Sequence, residues 1–163
     1  MGAKNTLFFR RIGMENRIDM LFQHWYDFDA EVFVAEKIGM EKIALETLVA
    51  ESTLFCRDCS RLLWVTIDGL SKNIEKVNIA KVIVQTQEKG DLSVLGVIAD
   101  ACYQHSLNPI YLKISHKCPK NKEKQIFFYR IAKSKMAAQI TLQNPLPLFL
   151  KWNFYCNELR YLS

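Results

Sequence analysis

Glycine and proline are scarce in this chain, with six glycines and four prolines in 163 residues, and three of the prolines fall after residue 118. Sandwiches and barrels of many short strands need a turn residue every few positions, so this sparse punctuation favours helices with short connections. No apolar run approaches the ~18 residues of a membrane-spanning helix. Thr6 to Phe9 is too short for the apolar core of a signal peptide, and a cytoplasmic location is the expectation. The five cysteines are odd in number and irregularly spaced. That excludes a dense disulfide framework and leaves mostly reduced thiols as the default. Gly90 and Gly96 stand alone, so there is no glycine-rich phosphate loop, and no G-x-S-x-G nucleophile motif occurs. Carboxylate pairs such as Glu41 with Glu46, or Asp68 with Asp100, sit at otherwise polar positions and read as solvated faces rather than acid–base pairs. No cofactor is expected.

What is present is half hydrophobic by residue count, enough for a substantial core and far from a disordered composition. Residues 1–13 read as a flexible N-terminal arm and 14–163 as a single helical domain. Ile18, Leu21, Phe22 and Trp25 follow helical spacing over Met14 to Asp27. Asp29 reads as the N-cap of a helix over Ala30 to Ile38 that Gly39 ends, and Glu41 to Glu51 as the next. Asp58 to Lys72 carries the strongest stripe (Cys59, Leu62, Leu63, Ile67, Leu70), widened by Trp64 and Val65 into a helix buried on two sides. Asn78 caps a segment ending at Gly90, whose β-branched Val77, Ile79, Val82, Ile83 and Val84 leave a strand as the alternative. Leu92 to Ser106, a short turn after Pro109, Lys122 to Lys133 and Pro145 to Leu162 complete the helical set.

Apolar segments recur around Leu63, Leu95 and Phe127, each 32 residues apart. Stacked helical hairpins produce such a recurrence. The fold class expected is therefore all-α, a single domain of about eight helices, either stacked as a short α-solenoid or packed as an irregular bundle.

Charge is the most uneven property. Lys113 to Lys135 holds eight bases against the single acid Glu123, a net +7, while Met20 to Leu112 has 13 acids against eight bases. A field of this kind attracts acidic proteins, phosphates or anionic head groups. Lys117, Lys120, Lys122, Lys124 and Arg130 are the leading candidates for anion or nucleic-acid binding, the first four on a loop broken by Pro119 and Asn121. Ile126, Phe127, Phe128 and Tyr129 follow, and bases beside aromatic rings suit single-stranded nucleic acid. The plainer reading is a solvated lysine loop above a helix whose aromatics face the core.

Cys56-Arg57-Asp58-Cys59 is a C-x-x-C at a predicted helix start, where the helix dipole lowers a thiol pKa and favours redox chemistry. Cys102 and His105, with His116 and Cys118, add thiolate and imidazole donors of the type zinc takes. Cys59 and Cys102 also lie on apolar stripes, where cysteine serves as a small hydrophobe. The helix-start C-x-x-C resembles that of the small helical peroxidase reductases of the AhpD-like group. Leu63 stands where that group carries its histidine and Ala44 near its glutamate, so the likeness stops at the two cysteines.

Arg17 and His24 have the R-x6-H spacing found in helical ribonuclease toxins of the HEPN type, a pair that on one helix face can hold a phosphodiester, although Asp19 and Asp27 are equally ready salt-bridge partners. Met1 to Thr6 fits the N-myristoylation pattern, with Arg10 and Arg11 as a second membrane signal. The function most consistent with these features is a non-enzymatic interaction or adaptor module, with a protein partner or a homo-oligomer as its target. The alternatives are a nucleic-acid-binding regulator using the same basic stretch and a thiol-redox protein using Cys56 and Cys59.

Overall fold

The computed structural model describes residues 2–37, 39–128 and 135–157. Eight α-helices lie among the described residues: α1 Gly2–Asp27, α2 Leu45–Phe55, α3 Ser60–Asn73, α4 Ile79–Lys89, α5 Leu92–Ser106, α6 Ile110–Ser115, α7 Lys135–Gln143 and α8 Pro147–Leu150. Two two-residue strands, β1 (Gln125–Ile126) and β2 (Phe154–Tyr155), pair in parallel with Gln125 opposite Phe154. The fold is all-α. Helix α2 packs against α1, α3, α4 and α5, which makes an irregular bundle around one central helix. Its Leu48, Val49 and Ala50 are fully buried.

The helices over 60–106 follow their sequence signals. Asn78 caps α4 by accepting from the Lys81 N–H at 3.1 Å, so that segment is a helix despite its β-branched residues. Asp91 caps α5, taking the N–H groups of Ser93 at 2.9 Å and Val94 at 3.4 Å. Val65 is buried and Trp64 half-buried, as the wide apolar face of α3 requires.

Two tryptophans on bare helical backbone organise the packing. Trp25 of α1 is fully buried against Gly69 of α3, where an added Cβ would lie 2.3 Å from the indole ring. Its indole N–H donates to Ser52 Oγ of α2 at 2.9 Å. Trp152 repeats the arrangement at the other end of the chain. It sits against Gly96 of α5, where a Cβ would lie 2.4 Å from its ring. Its indole N–H donates to Asp100 Oδ2 at 2.9 Å, which Lys151 also pairs with at 2.8 Å. A buried polar group is tolerable when its hydrogen bond is made, and both indoles make theirs.

Several expectations are corrected. The N-terminal arm expected over 1–13 is helical from Gly2 onward, part of the 26-residue α1. Gly13 lowers helix propensity without breaking the helix, because an isolated glycine costs only about 1 kcal/mol. The helix expected over Ala30 to Ile38 is absent from its described part. Asp29 has φ 62°, a left-handed residue that ends α1 rather than capping a new helix. The backbone beyond it finds side-chain partners instead. Glu31 N–H donates to Asp68 Oδ2 at 2.7 Å, Arg61 donates to the Phe33 carbonyl at 3.2 Å, and Gln23 donates to the Glu36 carbonyl at 2.7 Å.

The helix expected over Lys122 to Lys133 is a bend and then β1 in its described residues, and the third member of the 32-residue recurrence, Phe127, lies in a turn. The stacked-hairpin alternative therefore gives way to the irregular bundle. In its described part, to residue 157, the long helix expected over Pro145 to Leu162 is α8 alone, because Trp152 folds back onto α5 and Asn153 takes a left-handed φ of 63°. Asp100 is buried rather than solvated, and so is Glu46, whose carboxylate accepts the Asn78 N–H at 3.0 Å.

One substitution has opposite effects at the two contacted glycines and at the uncontacted Gly13. Gly69→Ala and Gly96→Ala force a methyl into a tryptophan ring, an overpacking cost of about 1–3 kcal/mol that outweighs the helix-propensity gain of about 1 kcal/mol. Gly13, with nothing within 4 Å of its would-be Cβ, gains about 0.5–1 kcal/mol from the same change. Urea-unfolding midpoints of the three variants should fall, fall and rise. A rise for Gly96→Ala would refute the seating of Trp152.

Candidate functional site

The basic loop is a built feature of the surface. Asn121 is its anchor: its N–H donates to the Trp152 carbonyl at 3.2 Å, its carbonyl accepts from Asn153 Nδ2 at 2.7 Å, and its own amide donates to the Glu123 carbonyl at 2.7 Å. Gln125 N–H donates to the Asn153 carbonyl at 3.1 Å, and Phe127 N–H to the Tyr155 carbonyl at 2.9 Å. The loop is thereby tied to the turn that Trp152 fixes. Lys113, Lys117, Lys120, Lys122, Lys124 and Lys135 are all exposed. None of Lys117, Lys120, Lys122 and Lys124 forms an ion pair among the described residues. Arg130 and Lys133 lie outside the described residues.

Below the loop is an open cleft of about 350 Å³ between the start of α5 and residues 119–125. Leu92 and Pro119 give it apolar wall, and Lys120 and Lys122 stand at it together with Asp91 and Glu123. Asp91 is committed to capping α5, since its Oδ1 also accepts the Ser93 hydroxyl at 2.5 Å.

The aromatic run beside the lysines has a different role from base stacking. Phe127 is fully buried, edge-on to Phe128, Phe149 and Phe154 with ring centroids 4.8–5.1 Å away. Arg57 closes this cluster. Its Nε donates to the Phe127 carbonyl at 2.9 Å, its Nη2 donates to the Ile126 carbonyl at 3.0 Å and Gln125 Oε1 at 3.2 Å, and its guanidinium lies 4.8 Å from the Phe154 ring centre. Sequence reasoning passed over Arg57 as a spacer inside C-x-x-C. The arginine, rather than the cysteines around it, holds β1 on the helical body. Arg57→Lys keeps the charge but loses the planar fork, and should lower stability by about 1.5–3 kcal/mol in urea unfolding. An unchanged midpoint would show that the fork contributes nothing.

The cysteines do not converge on a reactive centre. Cys56 is fully buried, and burial pushes its thiol well above the ordinary value, against the weaker pull of its hydrogen bond to Thr66. A redox-active thiol needs the opposite shift. Cys59 is half-buried at the N-cap of α3 and makes no capping hydrogen bond there. Cys102 is buried, bonded by the Ser71 hydroxyl at 3.5 Å, while His105 on the same helix is exposed. Among the described residues no three His, Cys, Asp or Glu side chains group as a metal site would require. All five cysteines are free thiols.

Arg17 lies 5.2 Å over the Phe55 ring, while His24 is half-buried and Asp27 pairs with Lys37 at 2.8 Å. The side chains of the Gly2 to Thr6 motif lie outside those described. No described helix is long and apolar enough to cross a membrane. Comparison with protein-family models, with curated proteins and with solved structures finds no match to this chain.

Burial raises Cys102 and Cys118 to about 12 from the ordinary 9.0, and Tyr111 to about 12 from 10.0. Because the folded values exceed the unfolded ones, the stability these groups contribute is complete below pH 9.0 and is lost as pH rises toward about 12. The urea midpoint should therefore fall steadily above pH 9.0, and less steeply in Cys102→Ala. At pH 8 a thiol reagent should label the half-buried Cys59 first, and the buried Cys56, Cys102 and Cys156 only on unfolding. Rapid labelling of Cys56 would contradict its burial.

Proposed function

We propose that this chain is a non-enzymatic interaction module that engages an acidic protein surface through the lysine loop. The observation that carries this reading is the pinning of Asn121 to Trp152 and Asn153, beside four exposed lysines that form no ion pair among the described residues. A loop already held in shape loses little conformational entropy on binding, and unpaired charge on it is available to a partner. Lys113 to Lys135 holds eight of the chain's 22 Lys and Arg against a single acid, a local excess of positive charge that attracts acidic partners.

Nucleic acid is the second reading. The same lysines serve it, but Phe127 is withdrawn into the core cluster and Phe128 is half-buried against it, which removes the stacking platform that single strands favour. A thiol-redox role is not supported by the burial of Cys56.

The test is fluorescence anisotropy with labelled polyglutamate and with single- and double-stranded DNA and RNA, at low and moderate salt. The expected result is polyglutamate binding that the triple charge reversal K120E/K122E/K124E weakens about tenfold or more, with no comparable affinity for nucleic acid. All three lysines are exposed, so the variant should keep its fold, checked by circular dichroism. Tight nucleic-acid binding with a salt slope near −0.9 per phosphate contact would replace this reading by the regulator. Binding to neither probe at low salt would overturn both.

A further inference from the structure

Helix α1 meets the bundle along one stripe of its second half. Trp25 is fully buried, Leu21 is 4% exposed and Ile18 8%, and Met14 and Phe22 pack against the same core. At about 100° per residue, these five positions fall within an arc of about 100° on the helix, the side that meets α2 and α3. Glu15, Asn16, Asp19, Met20 and Tyr26, all exposed, occupy the side away from the bundle.

Toward the start of the helix the two sides exchange character. Along the helical backbone of residues 2–12, the arc of Ile18, Leu21 and Trp25 continues through Lys4, Arg10 and Arg11, with Leu7 between them. Phe8, Phe9 and Ile12 fall instead on the arc of Asn16, Asp19 and Met20. The apolar stripe therefore changes face at Gly13, by about 150° around the axis. A stripe that served the same core would keep its register through the whole helix. Charge is segregated as well, since residues 1–14 hold Lys4, Arg10 and Arg11 and no acid before Glu15.

We propose that residues 2–12 of α1 form an interfacial helix that lies on an anionic lipid surface, with Phe8, Phe9 and Ile12 at the acyl boundary and Lys4, Arg10 and Arg11 among the head-group phosphates. A helix with aromatic and aliphatic residues on one arc and bases on the other takes this posture in the plane of a membrane interface. Bases with no acid among them fit the negative potential of an anionic leaflet. The bundle lies on the other side of the helix, so a flat surface can meet the stripe without meeting α2 or α3. Glu15 and Asp19, on the same arc one turn or two further on, confine the contact to the turns before Gly13. Two phenylalanines and one isoleucine are a small apolar area, so attachment is reversible and needs both the stripe and the charge. It does not depend on what the lysine loop binds.

Co-sedimentation of the full chain with vesicles tests this. Binding is expected to phosphatidylcholine vesicles carrying about 30% phosphatidylserine and not to phosphatidylcholine alone, and it should weaken from low to moderate salt. F8S/I12S and R10E/R11E should each weaken it about tenfold or more. These positions precede Ile18, the first buried side chain described on α1, and circular dichroism checks that each variant is folded. The lysine loop also attracts anionic head groups, so K120E/K122E/K124E is the discriminating variant, and it should keep most of the binding that F8S/I12S loses. Phe8→Trp supplies a second readout, an indole whose emission shifts to the blue on the vesicles and is quenched by brominated acyl chains. Binding abolished by K120E/K122E/K124E but indifferent to F8S/I12S would assign the lipid contact to the loop and overturn the proposal. No binding to the anionic vesicles at low salt, or no quenching of Phe8→Trp, would overturn it as well and leave a protein groove as the cover of the stripe.

Discussion

The seating of Trp152 against Gly96 decides where the last third of the chain runs. The indole occupies space that any side chain at position 96 would take, and its N–H reaches Asp100 one helical turn further along the same helix. Asp100 is buried and therefore needs compensation, which the indole and Lys151 supply together at 2.9 and 2.8 Å. With that contact made, the backbone at 151–153 is fixed, Asn153 turns left-handed, and β2 follows beside β1. Asn121 reads this turn directly through the Trp152 carbonyl. The lysine loop is thus positioned by a core contact, although none of its lysines is in the core.

Trp25 does the corresponding task for the first third. Gly69 admits the ring, Ser52 accepts the indole N–H, and α1 is locked across α2 and α3. A glycine inside a helix costs roughly 1 kcal/mol of propensity. Burying a tryptophan returns more than that through apolar area, at about 25 cal/mol per Å² over the roughly 150–250 Å² that an aromatic side chain buries. The two interior glycines of α3 and α5 are therefore packing sites for rings that arrive from opposite ends of the sequence.

This explains which parts were legible in the sequence. The helices α3, α4 and α5 take their shape from their own periodicity and from caps a few residues away, such as Asn78 and Asp91, so local reasoning finds them. The segments at 30–37, 122–128 and 151–157 take theirs from distant groups: Asp68 and Arg61 for the first, Arg57 and Asn153 for the second, Asp100 and Gly96 for the third. Each has a helical stripe that tertiary partners override. The same division holds at the candidate site. The exposure of the lysines was legible from composition, since lysine is almost never fully buried. The burial of Phe127 was the plainer reading of its apolar stripe, but its means was not legible, because nothing near it in sequence says that Arg57, seventy residues away, donates to its carbonyl.

The separation of roles that results has a consequence for how such a surface can change. Asn121 carries the posture of the loop and no charge, whereas Lys120, Lys122 and Lys124 carry charge and no packing. Substitutions at the lysines alter what the loop attracts while leaving the fold intact, since exposed positions away from packed features shift stability by less than about 0.5 kcal/mol. Substitutions at Trp152, Asn153 or Asn121 move the loop itself and perturb the core with it. Arg61 and Gln23 likewise brace the backbone at Phe33 and Glu36. The chemistry of recognition is therefore free to vary on a frame that is not, and the frame is set by two indoles and the glycines that make room for them.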